Sequence, residues 1–266
     1  SKAADQLGYA QSTVTMQIAQ LEDELGVRLF DRNGKRFRLN AKGEELLTYA
    51  NRLIALSKEA KTAVSDTQTP RGLLRIGVIE SVGAFFLPPI LQEYLISFPD
   101  VRVQVLTATT REIMGMLRQN KIDLMLTLDD RVYDPDWTCI WSREEDIVFL
   151  CAPEHAFAGR TDITLAELLQ ENLLLTERCC NYRYRFEHIC DRYQMQLRSS
   201  LEIGCTNTIL QFTEHNLGVT FLPRLTAQAS LHTKRLSAFS VKEVSIRMLI
   251  QLVYRKSMWC TPAMKA

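Results

Sequence analysis

Residues 10–30 read AQSTVTMQIAQLEDELGVRLF, and the spacing of their side chains decides how the rest of the chain is organised. Val14, Ile18, Leu21 and Leu25 lie four, three and four apart, which lines them along one face of an α-helix. Ser12 and Thr13 are expected to cap its start, and Gly26 to stand just past its last turn. The opposite face carries Gln11, Thr15, Met16, Gln17 and Gln20, a row of amides, hydroxyls and a methyl without a charge. Such a row suits base edges in a duplex groove: an amide bonds adenine at two points, and small hydroxyls and methyls suit several bases. An ordinary amphipathic helix with a polar outer face is the alternative.

Working outward, residues 2–7 (KAADQL) read as a short preceding helix and Gly8-Tyr9-Ala10 as a tight turn, together the helix-turn-helix pattern. On the other side, residues 28–42 (RLFDRNGKRFRLNAK) set Arg28, Arg32, Lys35, Arg36, Arg38 and Lys42 against the single acid Asp31. Asn33-Gly34 is a two-residue hairpin signal, and Phe37 and Leu39 alternate with Arg36 and Arg38 as in a half-buried strand. A basic hairpin after a polar-faced helix makes a wing able to grip phosphates beside the groove; a solvated basic loop is the plainer reading.

The run A-Q-S-T-V-T-x-Q-I-x-x-L-E-x-E-L-G-V-R-L-F-x-R, from Ala10 to Arg32, resembles the DNA-binding signature of LysR-type transcriptional regulators, and the resemblance continues through Ala41-Lys42-Gly43. It implies a regulator that binds double-stranded DNA and answers to a small-molecule coinducer. Gln11, Ser12, Thr13, Thr15, Met16 and Gln17 would then face the major groove, with Arg32, Lys35, Arg36 and Arg38 on the backbone or minor groove. Such regulators begin with an apolar helix upstream of the turn; Ser1 falls inside the next helix, so that first helix is expected to be missing from this sequence.

Composition is ordinary for a globular chain of 266 residues, with 46% hydrophobic and 24% charged side chains, enough for two or three domains. The net charge of +1 places any nucleic-acid affinity in the wing rather than in a wholly basic domain. The seven cysteines (139, 151, 179, 180, 190, 205, 260) show no Cys-x-x-Cys spacing and are odd in number, which fits a reduced cytoplasmic interior better than a disulfide framework. No run of 18 apolar residues and no leader pattern occurs, so no membrane is expected.

Asn40 should cap a helix over residues 41–64, in which Leu46, Leu53 and Ala60, and likewise Ala50, Ser57 and Val64, recur every seventh position. That seam predicts a linker helix pairing protomers in a homodimer or homotetramer. After the polar stretch 65–72 (SDTQTPRG), apolar strands at 73–79, 101–106 and 122–128 alternate with helices at 91–98 and 111–120, the pattern of a parallel doubly wound sheet. A strand at 145–151 follows, then a second set: helices at 165–169, 184–193 and 208–215, strands at 173–176, 200–205 and 219–222, and a last strand at 246–254. The expected chain is α+β and multi-domain: a winged helix-turn-helix over 1–40, a linker helix over 41–66, a hinge over 67–72, and an effector-binding domain over 73–266. The last consists of two α/β subdomains of periplasmic-binding-protein type, one formed by 73–150 with the C-terminal strand and the other by 151–240.

Ligands of parallel sheets bind off the carboxyl ends of strands. There the sequence puts Ser81, Thr107, Thr109, Thr110, Thr127, Thr176 and Thr206, with Arg178 able to pair with a carboxylate. Each hydroxyl alone also serves as a helix cap; converging, they suit a small polar or anionic metabolite. The resemblance places the coinducer in this cleft, and because some relatives sense peroxide through a cysteine pair, Cys180 and Cys190 are the candidates for a redox-responsive variant. Cys179, Cys180, His188 and Cys190 cluster without zinc-finger spacing, so neither a metal nor another cofactor is expected. The enzymatic motifs G-x-x-x-x-G-K-[ST], G-x-G-x-x-G, H-E-x-x-H and G-x-S-x-G are absent, which leaves nothing to argue an enzyme from. A solute-binding protein of the same cleft architecture is the rival reading, opposed by the basic wing.

Overall fold

The amide and hydroxyl row of residues 11–20 lies on helix α1 (Gln11–Leu25) of a computed structural model that describes residues 4, 8–33, 36–63 and 69–266. At 32, 33, 36, 37, 52, 55, 58, 59 and 61–63 the description is of the backbone alone. The chain divides at Val64/Ser65 into two compact units.

In the first unit α1 starts earlier than its cap signals predict. Ala10, extended at φ −66° and ψ 146°, is the N-cap without a side-chain bond, and Ser12 and Thr13 fall inside the first turn. Gln11, Ser12, Thr15, Met16, Gln17 and Gln20 are exposed and Thr13 partly so, while Val14 and Ile18 are half-buried and the buried residue is Glu22. Gly26 ends the helix at φ +67°, a left-handed conformation that glycine adopts without a Cβ penalty; its N–H bonds Asp23 O and that of Val27 bonds Glu22 O.

The wing follows as an antiparallel hairpin of β1 (Phe30–Asn33) and β2 (Arg36–Leu39). Its register pairs Asn33 with Arg36, so Asn33 lies within β1, where the Asn33-Gly34 signal expected it in the turn. Residues 34–35 lie outside the described residues, as does the expected helix over 2–7 except for Ala4, which is helical and buried. Helix α2 (Ala41–Ala63) is capped as expected, with Asn40 Oδ1 accepting the Gly43 N–H at 2.9 Å. Leu53, Ile54 and Leu56 are exposed along it.

The second unit is built on one nine-stranded sheet in the order β4-β3-β5-β11-β6-β9-β7-β8, with β10 against β6. Its elements are β3 (Gly72–Val78), α3 (Glu80–Phe85), α4 (Leu87–Ser97), β4 (Val101–Thr107), α5 (Thr110–Arg118), β5 (Leu124–Asp129), β6 (Trp137–Cys151) and α6 (Leu165–Leu168). There follow β7 (Leu173–Leu175), α7 (Asn181–Arg192), β8 (Leu201–Glu202), α8 (Thr206–Glu214), β9 (Val219–Pro223), α9 (Arg224–His232), β10 (Ser237–Phe239), β11 (Ile246–Arg255) and α10 (Pro262–Lys265). The periodicity of 73–128 and 165–222 is realised, with Pro88 and Pro89 in the first turn of α4 where a missing N–H costs nothing.

The sheet is mixed rather than wholly parallel. Pairs β3/β4 and β3/β5 form one parallel block and β7/β8 and β7/β9 another, while β6 and β11 run antiparallel between them. The 15-residue β6 meets β11 along Trp137–Ile147 and β9 along Ile147–Leu150, so it belongs to both halves. A core of Phe149, Phe186, Phe221 and Phe239, with ring centroids 4.6–5.5 Å apart, packs the second block. Among the described residues no helix is long and apolar enough to cross a membrane.

Candidate functional site

The carboxyl ends of β3, β4, β7 and β8 lead into α3, α5, α7 and α8, and the starts of these helices frame a cleft of about 310 Å³. That is the lower end of the size range of small-molecule sites. Ser81, Thr109, Thr110, Thr176 and Thr206, all expected here from the sequence, line it, as does Thr107. Two expected residues do not. Thr127 is fully buried inside β5, its hydroxyl 3.0 Å from that of Thr110, because a central strand covered on both faces has no side open to the cleft. Arg178 points outward with 80% of its side chain exposed, 3.9 Å from Glu202, and is not among the residues that line the cleft.

The sequence reading missed the groups that span the cleft. Glu80 accepts the backbone N–H of Thr206 at 3.2 Å and, in a very short bond, its hydroxyl. The Asn181 amide reaches the opposite way, donating to Thr110 Oγ1 at 2.9 Å, Leu128 O at 3.2 Å and Asp129 Oδ2 at 2.8 Å. Burial pushes the Asp129 carboxyl above its usual range. Both clasps join the first parallel block to the second. Their signal was faint: a lone Glu after β3 and a lone Asn at the start of α7 look like cap-region residues.

Thr109 forms a capping box with Glu112, whose carboxylate takes the Thr109 hydroxyl at 2.8 Å and its N–H at 3.0 Å; these bonds hold Glu112 below the usual carboxylate range. Behind the wall Arg183, 3% exposed, bonds Thr176 O, Glu202 at 2.7 Å and Glu187 at 3.0 Å. Tyr182 is buried at the cleft, and that burial drives its hydroxyl pKa well above the ordinary value.

The cysteines do not make the expected redox pair. Cys180 is the N-cap of α7 and Cys190 lies within it, so ten residues at a ~1.5 Å rise separate them by roughly 15 Å. A disulfide needs Cα atoms within about 7 Å. Burial also raises both thiols, Cys190 to about 11. Among the described residues no three His, Cys, Asp or Glu side chains are grouped to hold a metal.

In the first unit the expected groove-facing row is solvent-exposed, and Arg38 is exposed on β2. Arg32 and Arg36 lie on paired strands with only their backbones described, and Lys35 lies outside the described residues. Glu22 joins helix to wing: its Oε1 accepts the N–H of Leu29 at 2.7 Å and of Phe30 at 3.3 Å, and Oε2 meets Arg28 at 2.9 Å.

Residues 1–44 match the bacterial regulatory helix-turn-helix pattern of the lysR family, and residues 67–266 match the LysR substrate binding domain. An uncharacterised helix-turn-helix transcriptional regulator of Bacillus subtilis, YwqM, is 33% identical over 267 residues, covering 99% of this chain and 89% of that protein. A full-length OxyR from Pseudomonas aeruginosa shares the fold at a TM-score of 0.75 and 20% identity, over 99% of this chain and 85% of its own. The Synechocystis CcmR regulatory domain, solved in complex with 2-PG, superposes at a TM-score of 0.61 and 20% identity over 71% of this chain and 90% of its own. With both halves matched and the winged hairpin and two-block sheet in place, the chain belongs to the LysR family of helix-turn-helix transcriptional regulators.

Proposed function

We propose that this protein binds double-stranded DNA through the exposed row of α1 and the wing, and that a small polar metabolite in the cleft of the second unit sets how it does so. Gln11, Ser12, Thr13, Thr15, Met16 and Gln17 read base edges in the major groove, and Arg32, Lys35, Arg36 and Arg38 neutralise phosphates or enter the minor groove. Ser81, Thr109, Thr110, Thr176 and Thr206 contact the metabolite. Protomers pair through α2, whose exposed Leu53, Ile54 and Leu56 a second copy would cover, and the protein acts in the cytoplasm on its DNA as a homodimer or a larger homo-oligomer.

The observation that carries this reading is that the cleft walls come from both parallel blocks, which are bonded across it by Glu80–Thr206 and Asn181–Thr110. A molecule seated there touches both blocks, so its binding energy depends on their separation and shifts that equilibrium. CcmR, a fold relative, is solved with 2-PG in its regulatory domain, which supports a small-molecule role for the same domain here.

The test is a gel shift of the protein on the DNA upstream of its own gene. Gln17→Ala with Arg36→Ala is expected to weaken binding at least tenfold, from one base contact and one phosphate contact worth ~1.4 kcal/mol or more in total. Unchanged binding by the double variant would remove the α1 and wing assignment.

A further inference from the structure

Glu80 and Thr206 stand on opposite walls of the cleft, and each oxygen of the carboxylate meets one donor of the threonine. Oε1 takes the Thr206 N–H at 3.2 Å at the first position of α8, and Oε2 takes its hydroxyl in the very short bond. The first turn of α8 holds no acid of its own and Thr206 is 2% exposed, so the charge seated there comes from the other block. Free N–H groups at a helix start, with a hydroxyl beside them, are where a metabolite's carboxylate would also settle. The carboxylate seated there in the structure shows that the position takes one, and that a group of the chain already fills it.

The filling group stands on a fixed base. Ser81 and Val82, next to it on α3, are 4% and 0% exposed, and the Ile79 N–H is bonded to Leu126 O at 3.4 Å. Rotation about the side-chain bonds of Glu80 is therefore enough to vacate the start of α8, with α3 left in place. No Lys, Arg or His lines the cleft, so none of the lining residues offers Glu80 a cation in exchange for Thr206. The second clasp, from Asn181 to Thr110, Leu128 and Asp129, uses a neutral amide and does not depend on this charge. About 310 Å³ stays open in the cleft and both Glu80 and Thr206 line it, so a molecule there reaches the bond between them.

We infer that Glu80 is an internal ligand of the second block: its carboxylate occupies the anion position at the start of α8, latches the two blocks to each other, and yields to a metabolite carboxylate that takes its place. The inference rests on the cleft being the effector site. Because Glu80 is tethered, it competes at a high effective concentration, and a free carboxylate displaces it with the help of contacts elsewhere in the cleft. Binding and release of the latch are then one event, which couples occupancy to the separation of the blocks.

The experiment removes the internal carboxylate and supplies a free one. The full chain and its Glu80→Ala variant are compared by amide exchange at residues 109–112, 181–184 and 206–208, with sodium acetate as the probe and acetamide and sodium chloride as controls. Glu80→Ala is expected to raise exchange at Thr206 at least tenfold, and to raise it at the other two segments as the blocks part. Acetate should reverse both changes at a concentration at least tenfold below any at which it acts on the parent, and acetamide should not. Thr206→Val added to Glu80→Ala should abolish the reversal, with the melting temperature of each variant as the folding control. Glu80→Gln, which keeps the shape of the side chain and loses its charge, should fall between the parent and Glu80→Ala. Exchange in both Glu80 variants equal to the parent's overturns the latch, as does failure of acetate to reverse the change or an equal reversal by acetamide or chloride. Gel shifts on the same upstream DNA run alongside: if acetate restores the cleft while DNA binding stays the same in every state, the latch stands and control of DNA binding by the cleft falls.

Discussion

The carboxylate of Glu80, at the start of α3, caps the first turn of α8 by accepting both the N–H and the hydroxyl of Thr206, so a side chain from one parallel block finishes a helix of the other. Replacing that hydroxyl tests how much the clasp contributes. Thr206→Val is expected to lower the stability of the second unit by about 1.5–3 kcal/mol, the range for a lost hydrogen bond to a charged acceptor, and Thr206→Ser to keep most of it. All three tryptophans (137, 141, 259) lie in that unit, so urea unfolding followed by their fluorescence reads it directly. A valine variant as stable as the parent would show that the clasp holds nothing together.

Gly43 tests the join between wing and linker helix. A Cβ there would stand 2.2 Å from Leu29 O and 2.6 Å from Leu39 Cδ2, and a backbone oxygen that also accepts the Asn40 N–H at 3.0 Å has no room to turn away. Gly43→Ala should destabilise the first unit by ~1–3 kcal/mol. Amide exchange over residues 39–47 is expected to accelerate accordingly; unaltered exchange would mean that the helix start moves freely.

Acid should loosen the same unit through Glu22. The N–H of Leu29 first, and then Arg28, hold its carboxyl below the ordinary range. Its stabilising effect is therefore complete above the unfolded carboxyl value of about 4.3 and disappears as pH falls through the lowered folded value. Exchange at Leu29 and Phe30, measured from pH 6 down to pH 3 and divided by the intrinsic rate at each pH, should rise as Glu22 is protonated. In Glu22→Gln the same amides should exchange faster at neutral pH and show little further change; an acid response as large as the parent's would assign the effect to another group.

Thiol reactivity should follow the environment of each cysteine. Cys205, exposed at the start of α8, is held below the usual thiol range by the Thr208 hydroxyl and N–H, whereas burial raises Cys190 to about 11 and Cys151 to about 12. Iodoacetamide at pH 7.5, read by peptide mass spectrometry, should modify Cys205 first and spare Cys151 and Cys190 until the chain unfolds. Peroxide should yield no Cys180–Cys190 disulfide while α7 is intact; finding one in the folded protein would reopen the redox reading.

Short-range chemistry was legible in the chain as written. The 3.6-residue spacing from Val14 to Leu25, the left-handed stop at Gly26, the Asn40 cap and the strand and helix alternation of the second unit each depend on neighbours within a few residues. So did the hydroxyls gathered at strand ends, six of which reach the cleft together. What escaped reading were the partners across it. Glu80 and Thr206 are 126 positions apart, and Asn181 and Thr110 71 apart, and nothing local in either segment states that they meet.

The amino-acid sequence by itself determined the kind of protein this is, because a polar helix face, a basic hairpin and two runs of βα periodicity are each written in local spacing. Tertiary structure alone decided where charge sits in the cleft. Insertion of β11 between β5 and β6 joins two parallel blocks into one sheet, brings Glu80, Glu112 and Glu177 around one space, turns Thr127 inward and sends Arg178 out to solvent. The reason is physical: a side chain's facing is set by its own strand or helix, but its electrostatic company is set by whichever distant segment the sheet lays beside it.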